Sequence, residues 1–296
     1  MSRSRLFPMR PWAGVGVFAL ASSGVLAPLP PNITATTSAT YASREPVVVA
    51  GRASTSPIPA GILLPRQPHT STGSATRASK PVHSRLVVFG DSVANRPECG
   101  CQSFAGRYAR LVRDRAMVRV DNLAGDGQTT TSVLHVLAQP HTRALVAKAD
   151  TVVFVAGAND YQQAFAEVGN SRSDVGAYRI VAQRVQANLV TAIRKVTRIN
   201  PLARVITFGY WNAFKDGAVA QAAYTPQQRA AAAAATVSAN DAIRRAAQTT
   251  ASSYVSSRKA FAAAGELTGL LAADGDHPSE VGNDVLAHTL AEAMAR

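Results

Sequence analysis

Several residue patterns that mark common functions are scarce or missing in this chain. Its only two cysteines, Cys99 and Cys101, flank a single glycine. No His or carboxylate pair repeats at metal-ligand spacing, so neither a metal nor another cofactor is expected. The Gly-x-Ser-x-Gly elbow is absent, which removes support for the fold that carries that turn. Lysine and arginine outnumber aspartate and glutamate by 31 to 18, for a net charge of +13. No basic run is interleaved with aromatics, however, and nucleic-acid binding is not expected.

The charge is unevenly spread. Up to His83 there are eight basic residues against one acidic, and the remainder holds 23 against 17. Arg3, Arg5 and Arg10 precede an apolar stretch from Trp12 to Leu29, the charge-then-apolar order of an export signal. Pro28, Pro30 and Pro31 follow it where a membrane anchor would carry a basic flank. No cysteine directly follows the stretch, so a lipid-modified terminus has no attachment residue. Residues 1–35 are therefore expected to be a signal peptide. Residues 36–82, dense in Pro, Ser and Thr, are expected to be a disordered spacer whose basic charge suits an anionic cell envelope. The expected protein is secreted or envelope-associated, and monomeric.

From residue 83 to 296 apolar strands alternate with helical stretches. Strands are expected at Arg85–Phe89, Met117–Leu123, Thr151–Ala156, Val205–Phe208 and Tyr254–Val255. Helices are expected at Gln102–Arg115, Thr129–Leu137, Val175–Ile199, Pro226–Gln248 and Ser279–Met294. Such alternation predicts a three-layer αβα sandwich around a mainly parallel, flavodoxin-like five-stranded sheet, with ligands at the carboxyl ends of the strands. The alanine run Ala230–Ala235 is taken only as a strong helix former.

Candidate chemistry sits at those strand ends. Gly90-Asp91-Ser92 closes the first strand, Asn122 to Thr130 containing Gly127 follows the second, and Gly157-Ala158-Asn159-Asp160 follows the third. Asp274 precedes His277 by three residues, just ahead of the last helix. In this order and spacing the blocks resemble those of the SGNH, or GDSL-type, family of serine esterases and lipases. The resemblance implies hydrolysis of a carboxylic ester of a short acyl group, an acetylated carbohydrate or a lipid.

Chemistry gives the same residues matching roles. Ser92 supplies the nucleophile, His277 the general base, and Asp274 the group that holds the imidazole in its productive tautomer. A tetrahedral intermediate needs preorganised donors for its oxyanion, and the Ser92 N–H, the Gly127 N–H and the Asn159 amide can form that hole. Gly125 is the neighbouring alternative to Gly127. Asp276, the immediate neighbour of His277, is expected to point away from it, and Asp91 to shape the turn. Tyr210 and Trp211 are candidates for the pocket wall or for plain core packing. Cys99 and Cys101 leave two states open, an intraloop disulfide and two free thiols. An acyltransferase using the same site and a catalytically idle carbohydrate-binding module are the alternative functions.

Overall fold

The computed structural model describes residues 82–95 and 98–296. The expected signal peptide and all but the last residue of the expected spacer lie outside them. Val82, assigned to that spacer, already begins the first strand.

In chain order the elements are β1 (Val82–Gly90), α1 (Ser92–Asn95), α2 (Phe104–Leu111), β2 (Ala116–Asn122), α3 (Thr130–Ala138), α4 (Pro140–Val146) and β3 (Thr151–Val155). A 3₁₀ turn, Asn159–Tyr161, leads into α5 (Gln162–Gly169) and α6 (Ala177–Ile199). Then come β4 (Arg204–Phe208), α7 (Ala213–Asp216), α8 (Ala218–Ala223), α9 (Pro226–Thr249) and β5 (Ser253–Val255). The chain closes with α10 (Ser257–Ala264), α11 (Leu267–Leu270) and α12 (Glu280–Ala295). All five strands fall where expected. Helices α1, α4, α5, α7, α8, α10 and α11 are additions, and α2 is shorter than its apolar spacing predicts.

The strands pair in parallel in the order β2-β1-β3-β4-β5, a flavodoxin-like sheet. All five residues of β3 are buried, as a central strand covered on both faces requires. Phe89 and Phe154, register partners on β1 and β3, stack with ring centroids 5.3 Å apart. Helix α2 packs against α12, while α6 packs against both α3 and α9. These two groups form the outer layers of the sandwich.

The switch point of the sheet lies between β1 and β3, where the chain leaves in opposite directions. In open parallel sheets ligands bind in the crevice at that point. Among the described residues no helix is long and apolar enough to cross a membrane.

Candidate active site

Four strand-end loops converge on a cavity of about 350 Å³. Ser92, Gly127, Asn159, Tyr210, Trp211 and His277 all contribute to its lining. Asp274 does not, but its Oδ2 lies 2.5 Å from Nδ1 of His277.

Ser92 is the first residue of α1, immediately past β1. Gly90 makes the tight exit possible: its φ is +156°, and a Cβ there would lie 2.2 Å from the Val155 carbonyl oxygen. The Asp91 N–H donates to that same oxygen at 3.0 Å. Asp91 shapes the turn as expected, its Oδ1 accepting from the Val93 N–H at 3.1 Å. Asn122 holds the far end of α1 by donating from Nδ2 to the Ala94 carbonyl at 2.6 Å. Among the described residues the Ser92 hydroxyl makes no hydrogen bond, and the His277 ring bonds Asp274.

Gly127 sits in a turn with φ +68° and no atom within 4 Å of where a Cβ would stand. Gly125 is engaged, its N–H donating to the Gly90 carbonyl at 3.0 Å, whereas the Gly127 N–H bonds nothing among the described residues. Asn159 opens the 3₁₀ turn after β3, and its Nδ2 donates one hydrogen to the Gln128 carbonyl at 3.1 Å. That bond orients the amide and leaves its second hydrogen available.

Asp160, which the sequence reading passed over, joins these two loops. It is buried, and its carboxylate accepts from the Thr130 N–H at 2.8 Å and from the Thr130 hydroxyl at 2.7 Å. Burial pushes its pKa up against the pull of those bonds.

The His277 loop is braced from α12. Ser279 caps that helix, accepting from the Gly282 N–H at 3.2 Å, and Asn283 donates to the Pro278 carbonyl at 3.2 Å. Arg107 of α2 grips the first turns of α12 through Asp284 at 2.6 Å and Glu280 at 2.8 Å. Asp274 also accepts from the N–H groups of Asp276 and His277, at 3.0 and 3.1 Å.

Charge is concentrated at this site. Burial disfavours the imidazolium of His277, but the Asp274 hydrogen bond and the nearby carboxylates of Asp276, Asp274 and Glu98 outweigh it and raise the pKa to about 9. Burial likewise works against the Asp274 carboxylate, yet its bonds to His277 and two N–H groups hold it below the usual range. Asp276 makes no bond to the His277 ring, which pairs with Asp274, and it lines the cavity. Burial lifts it to about 6.

Tyr210 and Trp211 line the cavity and are buried. The Tyr210 hydroxyl donates to Asp91 Oδ2 beneath the Ser92 turn, a bond between residues far apart in the chain. Burial, opposed by that bond and the Val93 N–H, raises Asp91 to about 7. Burial first and then the Asp91 charge raise Tyr210 well above its ordinary value. Trp211 stacks on Phe261 with centroids 4.4 Å apart. Cys99 and Cys101 are joined as a disulfide, and Asn283 donates to the Cys101 sulfur at 3.8 Å.

Sheet, switch point and cavity define an α/β protein with a ligand site at the strand ends, and the family match gives its class, carboxylic ester hydrolase. The family model for the GDSL-like lipase/acylhydrolase family matches residues 88–285, and the chain belongs to that family. Among solved structures, a lipase from a goat rumen metagenome is similar, with TM-score 0.60 and 20% identity over 71% of this chain and 97% of that one. Phospholipase A1 from Streptomyces albidoflavus NA297 matches with TM-score 0.56 and 18% identity, over 71% of this chain and 98% of that one. An extracellular lipase from Streptomyces rimosus matches with TM-score 0.55 and 20% identity, over 71% and 99%. At these identities the likeness shows a shared fold. A search of curated protein sequences found no match.

Proposed function

We propose that the protein is an exported serine esterase in which Ser92, His277 and Asp274 form the catalytic triad. The observation that carries this reading is the convergence of Ser92, Gly127, Asn159 and His277 on one cavity, with Asp274 seated 2.5 Å from the His277 ring. Neutral His277 takes the Ser92 proton through Nε2 as the hydroxyl oxygen attacks the ester carbonyl carbon. The carbonyl oxygen becomes an oxyanion held by the Ser92 and Gly127 N–H groups and the free Asn159 amide hydrogen. Collapse breaks the bond to the alkoxy oxygen, which leaves as the alcohol with the proton from His277. Water, giving a proton to His277, then attacks the acyl carbon, and the bond to Ser92 Oγ breaks as His277 returns that proton to it, releasing the carboxylic acid and restoring Ser92.

Export belongs to the same proposal, and rests on the basic-then-apolar order of residues 1–35. So does attraction of the basic spacer to an anionic envelope. The test of the triad is turnover of an activated aryl ester. Ser92→Ala and His277→Ala are each expected to lower kcat by about 10⁴-fold or more. Near-normal turnover in either variant overturns the assignment.

A further inference from the structure

The alanines of α9, expected only to favour a helix, also build one wall of the cavity. Ala232, Ala235 and Ala239 line it together with Thr236. Their spacing of three, four and seven residues puts all four on one face of the helix. Phe165 of α5 and Phe214 of α7 line the same cavity, with ring centroids 6.4 Å apart. The wall is held in position: Asn240, one turn beyond Thr236, accepts from the Tyr210 N–H at 2.7 Å and donates to the Tyr210 carbonyl at 2.9 Å.

The cavity lining is therefore of two unlike kinds. One is apolar, lined by methyl groups and aromatic rings, and its three alanines are buried. The other carries Glu98, Asp126 and Gly127, all exposed. Ester hydrolysis sends its two products out at different times. The alcohol departs first and needs an open path, whereas the acyl group stays bonded to the serine and gains from apolar burial. At about 350 Å³ the cavity lies near the lower limit of small-molecule sites, enough for a chain well beyond acetyl.

We infer that the small side chains of Ala232, Ala235 and Ala239 create a dedicated acyl-chain channel, making the preferred substrates esters of medium-length fatty acids with a polar or neutral alcohol. The inference deepens the esterase reading and rests on it. Each methylene that enters the channel is expected to raise kcat/KM by about fourfold, the equivalent of ~0.8 kcal/mol, until the channel is full.

The experiment measures kcat/KM for p-nitrophenyl esters from acetate to dodecanoate. Wild type, Ala235→Leu, Ala235→Ser and the exposed control Ala230→Leu are compared, with a thermal melt of each. Wild type and Ala230→Leu are expected to peak at medium chains. Ala235→Leu is expected to lower the octanoate-to-acetate ratio at least tenfold. If leucine overpacks the site and the variant fails to fold, Ala235→Ser decides, because a hydroxyl in the wall penalises long chains more than acetate and lowers the same ratio. An octanoate-to-acetate ratio unchanged in folded Ala235 variants overturns the inference. Wild-type activity confined to acetate and butyrate also overturns it and leaves the esterase reading intact. Wild type inactive on every ester is a failure of the esterase reading itself and removes the inference with it.

Discussion

The Asp160 carboxylate takes both polar hydrogens of Thr130, the backbone N–H at 2.8 Å and the hydroxyl at 2.7 Å. Asp160 is the neighbour of Asn159, and Thr130 begins the helix that follows the Gly127 turn. One buried side chain therefore ties together the two loops that carry the proposed oxyanion donors, Gly127 and Asn159.

Removing that brace is expected to affect the chemical step more than binding. Asp160→Ala leaves the buried Thr130 donors unpaired, a cost of about 1–3 kcal/mol in stability. Loss of an oxyanion donor costs ~10²- to 10³-fold in turnover, and a loosened pair approaches that range in kcat with KM little changed. Chemical denaturation and steady-state kinetics on the same preparation check both. An increase in KM at unchanged kcat would assign Asp160 to substrate binding instead.

The pH dependence follows from His277. In the proposed mechanism its neutral form is the base, and its pKa of about 9 lies above the unfolded value, so kcat/KM is expected to rise with pH through that region. Replacing Asp276 by Asn removes a negative charge that favours the imidazolium, so the acidic limb should move to lower pH. A limb that stays in place contradicts the account. Stability runs the other way: because the folded pKa is raised, the Asp274 pairing with imidazolium stabilises fully below about pH 6.5 and is lost as pH rises through about 9. Denaturation midpoints of wild type and His277→Ala should differ more at pH 6 than at pH 10.

The glycines at the site separate steric from conformational demands. A methyl group at Gly90 would strike the Val155 carbonyl, so Gly90→Ala is expected to abolish soluble, folded protein. Gly127 has open space around it and only its φ of +68° to defend. Gly127→Ala should remain folded at a cost of about 1–2 kcal/mol and lose turnover as the N–H shifts. Circular dichroism and kinetics on the pair distinguish the two cases, and a stable Gly90→Ala would refute the first.

Tyr210→Phe keeps the ring in the cavity wall and deletes the donor to Asp91. The variant is expected to lose about 1–3 kcal/mol of stability, because a buried carboxylate loses its partner. A fall in kcat should accompany that loss, since Asp91 shapes the turn that carries Ser92. Unchanged stability would show that Asp91 does not depend on Tyr210.

The parts of this site that the sequence disclosed are those with local causes. Ser92, Gly127 and Asn159 each follow an apolar strand directly, and the Asp274 to His277 spacing is contained in one loop, so neighbouring residues announce them. Asp160 and Tyr210 act through partners 30 and 119 positions away, which no local pattern encodes. The alanine run of α9 was legible as a helix former, but alanine satisfies helix propensity and a narrow wall equally well, and only the fold shows which face meets the cavity. Helix α5, eight residues long, is too short for its period to stand out. The pairing of Cys99 with Cys101 depended on the turn at Gly100, whose φ of +65° is a property of the folded loop.

The most direct test of the account is peptide mapping by mass spectrometry after treatment with a serine-directed fluorophosphonate. A single adduct on the Ser92 peptide is predicted, absent in Ser92→Ala and strongly slowed in His277→Ala. Labelling of another serine, or none on folded wild type that hydrolyses esters, would contradict it.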